Sequence, residues 1–332
     1  MRQRRGEPWP ARLSPMLALG LLACSEVLDA GSTRPHGTLP VDERNPIIIT
    51  NDNVGDNWQG EYALLLSNGG GPKLAGILIN TSGPWPELDA NVEGWRGLVE
   101  AARASGLEAP DPTTSVGERL VRPGSGRIED TEPNRSEGAL FIIEASRRLS
   151  LPYRPLVIVT GGRLTDVADA YLVDPTVADR IVVVSSLGKT SDSGAVMGPP
   201  NGEMDPWAGA IVTARLKYVQ VSSFYDQLMD VPASRVSELP DNAFGAWIAD
   251  KRARIWNLPE ASDQVAVAAV GITGFALKVE RISATSLAAN SGQGPDLTRD
   301  PDGPAWLVSD VEGTEATAGF WRLLSELRAV PP

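Results

Sequence analysis

Histidine and cysteine are almost missing from this chain. Its 332 residues hold one of each, both near the start, at His36 and Cys24. Without a second thiol, an intrachain disulfide and a multi-cysteine metal site are excluded. Without a histidine beyond residue 36, so are a Ser-His-Asp triad, a Cys-His pair and a histidine-built zinc site. A basic face is also lacking, since the formal net charge is −12. That acidity excludes the electrostatic footprint of a nucleic-acid binder. Beyond the N-terminal segment no stretch is apolar enough to span a membrane as a helix, which needs roughly 18–20 residues, and no internal repeat is visible. The chemistry left to the chain uses carboxylates, amides, hydroxyls and main-chain carbonyls, groups suited to hard cations and to carboxylate acid–base work.

The N-terminus is organised differently from the rest. Arg2, Arg4, Arg5 and Arg12 against Glu7 give a local charge of +3, and a short apolar run occupies residues 16–23. A basic segment, a short apolar core and small residues at a cleavage point read as an export signal over residues 1–23. Leu21-Leu22-Ala23-Cys24 resembles the bacterial lipoprotein signal, which implies that Cys24 becomes the acylated first residue, carrying chains of the palmitate class. More than one chain makes a stable anchor, at roughly 0.8 kcal/mol per buried methylene. Residues 24–44 are rich in Ser, Gly, Pro and charge and read as a flexible tether; 20 such residues span on the order of 25 Å. The expected location is the cell envelope, lipid-anchored to a membrane that the sequence leaves open, the outer membrane or the cell surface included. Removing the signal's +3 from −12 leaves −15 on the mature chain.

From residue 45 to 332 the pattern is that of one α/β domain. Short β-branched runs at 46–50, 73–80, 155–160, 180–185, 218–222 and 306–311 read as strands. Helices are expected at 59–66, 93–105, 137–149, 164–172, 207–216, 261–277 and 315–328, with residues 110–136 as a long surface loop. Nearly continuous apolar strands separated by helices imply a mostly parallel sheet covered on both faces, a three-layer fold. In such sheets ligands lie outside the carboxyl ends of the strands.

The loops at those ends carry the candidate chemistry. The first strand runs into Thr50-Asn51-Asp52-Asn53-Val54-Gly55-Asp56-Asn57-Trp58, a dense cluster of oxygen ligands whose types also make turns and helix caps. Its spacing is not that of an EF-hand. Val159 to Asp166 leaves a strand through Gly161-Gly162 and enters a helix. Asn201 precedes Asp205-Pro206 by four residues, and Asp263 heads the apolar run Val265-Ala266-Val267. Each also has a structural reading: a glycine turn, an Asp cap before Pro at the first helical position, and an acid favoured by a helix dipole.

Taken together and in order, these segments resemble the nucleoside hydrolase family, as a divergent lipoprotein member, over about residues 46–280. The family's opening Asp-Thr-Asp-Pro-Gly-x-Asp-Asp falls without gaps on Thr50 to Asn57. Its Thr-Gly-Pro-Leu-Thr-Asn falls on Gly161 to Asp166, its Asn-x-x-x-Asp-Pro-x-Ala on Asn201 to Ala208, and its His-Asp-Pro-x-Ala on Ser262 to Ala266. The resemblance implies that Asp52 binds calcium and activates the attacking water. It further implies Asp56 and Asn201 as grips on ribose hydroxyls, and Asn57, the carbonyl of Gly161 (Thr160 if the register slips by one) and Asp263 as calcium ligands. The chain departs from the pattern at Thr50, Asn53-Val54, Asn57 and Ser262, where the family has Asp, Pro-Gly, Asp and His, and it has no clean Gly-Asn loop between Asn80 and Trp85.

The activity this resemblance implies is calcium-dependent hydrolysis of N-glycosidic bonds in ribonucleosides or related glycosides. A metal-activated water would attack the sugar cation from the face opposite the base. The alternative is a lipoprotein that uses the same pocket only to bind a nucleoside or a sugar-like ligand. Trp58, Trp85 and Trp207 are candidates for stacking on a base or sugar ring, though core or rim is the favoured reading of each. The sequence leaves the oligomeric state open, a homo-oligomer included.

Overall fold

A computed structural model describes residues 38–55, 58–82, 85–115, 117–190, 196–197, 204–222, 231–254, 263–286 and 296–327. All belong to one unit that starts at Gly37. Cys24, Asp56, Asn57, Asn201 and Ser262 lie outside the described residues.

The nucleus of the fold is a set of apolar strands with strict two-residue alternation. In β1 (Ile47–Asn51), Ile47 and Ile49 enter one core and Ile48 the other. β4 (Leu156–Thr160) and β5 (Ile181–Thr190) divide in the same way, Val157, Val159, Val182 and Val184 against Leu156, Ile158, Ile181 and Val183. Successive side chains of a strand point to opposite faces, so runs apolar at every position bury both faces and call for helices on each. Every isoleucine of β1 is fully buried, about 1.5–3 kcal/mol apiece.

The helices supply those two covers. On the first face lie α1 (Gln59–Asn68), α2 (Leu88–Ala104), α6 (Ala243–Arg254), α7 (Gln264–Gly271) and α8 (Gly313–Glu326); on the second lie α3 (Glu137–Leu149), α4 (Thr165–Val173) and α5 (Pro206–Arg215). The remaining strands are β2 (Leu74–Ile79), β3 (Pro112–Thr114), β6 (Val196–Met197), β7 (Lys217–Ser222), β8 (Ala276–Ser286), β9 (Asp296–Arg299) and β10 (Ala305–Val311). The sheet order is β3-β2-β1-β4-β5-β7-β10-β8-β9, with β6 paired to β5. Strands β3 through β10 in that order are parallel, and β8 and β9 close the edge antiparallel. The expected mostly parallel three-layer sheet is therefore present.

Two features of this order position a site. The chain builds outward from β1 to β2 and β3 on one side, then returns to lay β4 on the other. The loop after β1 leads to a helix on the first face and the loop after β4 to a helix on the second, the reversal of strand order outside which ligands of open α/β sheets bind. The register also aligns the ends: Thr50 is opposite Thr160, Thr160 opposite Ser185, and Asn51 opposite Ile79.

Three local readings differ from the sequence. The helix expected over 261–277 stops at Gly271, and β8 begins at Ala276. Gly274, at φ +83°, makes the reversal in a backbone region that L side chains rarely adopt. Helix α6 was not legible, because its buried stripe is Phe244, Gly245, Ile248 and Lys251, with a glycine and a lysine at apolar positions. The long loop of 110–136 contains β3, which adds a parallel edge beside β2.

Candidate functional site

Strand parity decides which residue of the first loop faces which layer. Asn51 shares the face of Ile47 and Ile49, toward α1 and α7, and it is fully buried. Its Nδ2 donates to Gln59 Oε1 at 2.8 Å and to Asp263 Oδ2 at 3.2 Å. Its Oδ1 accepts from the Asp52 main-chain N–H at 2.7 Å. One side chain thus ties the end of β1 to the first residue of α1 and to the residue heading α7, 212 positions away.

The β4 loop closes on the same point. The Gly161 N–H donates to the Thr50 carbonyl at 2.9 Å. A Cβ on Gly161 would stand 2.4 Å from Asp263 Oδ2 and 2.5 Å from Asn51 Nδ2. Only glycine allows this approach of backbone to side chains. Thr160 turns its hydroxyl away, donating to Ser185 Oγ at 2.7 Å.

Asp52 lies beyond the strand on the opposite parity and is 3% exposed. Its Oδ1 accepts from the Asn53 N–H at 2.6 Å, and the Ser82 hydroxyl also bonds to it. Burial is the main influence on this carboxyl and raises its pKa above the ordinary Asp value. The Ser82 and backbone hydrogen bonds, and the charge of Arg163, pull it partly back. The indole of Trp95 donates to the Asp52 carbonyl at 3.1 Å and holds the loop from below.

The neighbouring face holds amides that sequence reasoning did not single out. Asn80, fully buried, donates from Nδ2 to Thr50 Oγ1 at 3.0 Å, while its Oδ1 has no hydrogen-bond partner among the described residues. Asn91 donates to the Asn80 carbonyl and accepts from Asn53 Nδ2 at 3.0 Å, linking α2 to the first loop. The signal for these residues was position: Asn51 continues the Ile47, Ile49 face, and Asn80 ends β2 on the face of Leu78.

Two other expected features prove structural. Asp205 caps α5 by accepting from the Ala208 N–H at 3.0 Å, and its other oxygen takes the Thr165 hydroxyl and the Leu120 N–H. Trp207 is buried and donates to Thr131 Oγ1. Behind the β4 loop, the buried Asp166 accepts from the Ser115 and Ser136 hydroxyls at 2.5 and 2.9 Å. Burial raises its pKa, Asp169 pushes the same way, and both serines and Arg163 oppose.

Calcium takes six to eight oxygens at 2.3–2.6 Å. Where β1, the β4 loop, α1 and α7 meet, Asp263 instead faces the N–H donors of an amide. Among the described residues, which do not include Asp56 and Asn57, no group of three or more His, Cys, Asp or Glu is placed to hold a metal ion.

No family model matches the sequence, and no curated protein matches it. Solved structures do match in fold. The inosine-uridine preferring nucleoside hydrolase of Bacillus anthracis superposes with a TM-score of 0.62 at 18% identity, over 86% of this chain and 100% of that one. This chain has the nucleoside hydrolase fold. A purine-preferring ribonucleoside hydrolase from Gardnerella vaginalis matches with a TM-score of 0.57 at 16% identity, over 86% of this chain and 100% of that one. The type III effector protein XopQ, solved with adenosine diphosphate ribose, matches at 0.54 and 10%, over 88% and 96%. At these identities the likeness is one of fold.

Proposed function

We propose that the chain binds N-ribosides at the carboxyl edge of the sheet beside β1 and β4 and hydrolyses their N-glycosidic bond, with Asp52 as the group that accepts a proton from the attacking water. The observation that carries this reading is a buried carboxyl of raised pKa at the carboxyl edge of a nucleoside hydrolase fold. A base is most effective when its pKa approaches the working pH, and burial moves Asp52 in that direction. The sugar develops positive charge as the bond to the base lengthens, and the carboxylate of Asp52 favours that state most where water is excluded. Asp56 and Asn201 are assigned, from the resemblance, to the ribose hydroxyls. Ribose release from a panel of nucleosides tests the proposal: the wild type should turn over at least one, and Asp52→Asn should abolish it, since an amide cannot take the proton.

A second reading has its own support in the Asn51 amide. A pocket in which Asp263 is served by an internal amide holds less charge for catalysis, and it suits a lipoprotein that binds a ribosyl ligand without cleaving it. Binding by the wild type without release of ribose, unchanged in Asp52→Asn, would establish this reading and remove the first.

The location is part of the proposal. Residues 1–23 are assigned as an export signal, Cys24 as the acylated anchor in a membrane of the cell envelope, and residues 24–44 as the tether.

A further inference from the structure

We infer that the side-chain amide of Asn51 stands in the place of a cation, so that the junction of β1, the β4 loop, α1 and α7 is held together without a divalent metal. The inference rests on the riboside reading only for the identity of the pocket.

The orientation of the amide is settled by its neighbours. The Asp52 main-chain N–H can only donate, so the atom 2.7 Å from it is the amide oxygen. The NH2 end must then face Gln59 and Asp263, and it has two hydrogens for two acceptors, Gln59 Oε1 at 2.8 Å and Asp263 Oδ2 at 3.2 Å. Turning the amide to present oxygen to an ion would set that oxygen against the Asp263 carboxylate and leave the Asp52 N–H facing a donor. Gly161 packs its backbone against the same two atoms and holds the pair in place.

The residues that converge come from three distant parts of the chain, around 51–59, at 161 and at 263, which is the arrangement that a multidentate cation ordinarily secures. Here a neutral donor does so. Asn51 brings two N–H groups, Gln59 brings an amide oxygen, and Asp263 brings the carboxylate. Among the described residues, no group of three or more Asp, Glu, His or Cys side chains is placed so that it could hold a metal ion.

The test is a calcium titration of the purified full-length chain by calorimetry, with thermal melts in chelator and in millimolar calcium. A bound cation at about 100 times its dissociation constant raises a melting temperature by several degrees. The wild type is expected to show neither heat nor shift, and Asn51→Asp to melt lower in chelator and to recover when calcium is added. A stoichiometric isotherm in the wild type that Asp263→Asn abolishes overturns the inference, as does a folded Asn51→Asp that gains no calcium affinity. An isotherm indifferent to Asp263→Asn arises elsewhere and supports it. If Asn51→Asp does not fold, the wild-type titration paired with Asp263→Asn decides alone. Riboside binding is measured separately in chelator: its failure removes the proposed function and leaves the amide inference to the calcium result.

Discussion

Beneath the site, α1 is pinned to α6 by an ion pair removed from water. Lys251 Nζ lies 2.8 Å from Glu61 Oε1, with side-chain exposures of 2% and 0%. The Trp247 indole donates to the same oxygen at 2.9 Å, and the ammonium sits 4.5 Å from the centre of the Trp58 ring. Replacing Lys251 by Met leaves the Glu61 carboxylate buried without its counter-charge, a loss of about 3–5 kcal/mol. A large domain loses about 2 °C of melting temperature per kcal/mol, so the shift should be about 6–10 °C. By contrast the pair Arg254–Asp250, at 63% and 64% exposure, should contribute about 0–1 kcal/mol. Denaturant unfolding of Lys251→Met, Glu61→Leu and the double variant separates charge from packing. The double variant, with neither charge to bury, should regain most of the loss and retain about 1 kcal/mol for the indole left without its acceptor. Because the pair is buried, the loss should persist at about 1 M salt. A cost below about 1 kcal/mol for Lys251→Met, or one that disappears in salt, would refute the argument. So would a double variant as unstable as the sum of its parts.

Three further outcomes are expected. Gly161→Ala forces a methyl into the space shared by Asp263 and Asn51, costing about 1–3 kcal/mol; riboside affinity should fall more than the midpoint of unfolding does, and equal effects on both would argue against a site there. Asp166 has a folded-state pKa raised by burial, so its contribution is present below the pKa of the unfolded carboxyl and is lost as pH rises through the folded one. Asp166→Asn, which keeps an oxygen for Ser115 and Ser136, should therefore gain on the wild type as melts move from acid to neutral pH, and a gap that widens in favour of the wild type would reverse the sign. Cys24→Ala should leave the chain out of the lipid fraction; recovery of a normally matured mutant among lipoproteins would end the anchor reading.

Much of this was legible because it is local. Continuous apolar runs in residues 46–50 and 155–160 dictate strands buried on both faces, and that alone calls for a parallel sheet with two helical covers. The switch from strand to loop at Asn51-Asp52 and at Thr160-Gly161 was legible as the carboxyl edge of such a sheet. The single histidine at position 36 by itself excluded whole classes of catalysis. Three things were decided by tertiary structure. The strand end lies one residue further on than the motif register implies, so Asn51 rather than Asp52 faces α7, and a one-residue difference moves a side chain to the other face. Helix α6 hid its buried stripe behind Lys251, whose charge is acceptable only because Glu61, 190 positions earlier, is folded against it. The donor that meets Asp263 cannot be read from spacing either. Which end of an amide points inward depends on what surrounds it, here a main-chain N–H on one side and a carboxylate brought in from a distant helix on the other.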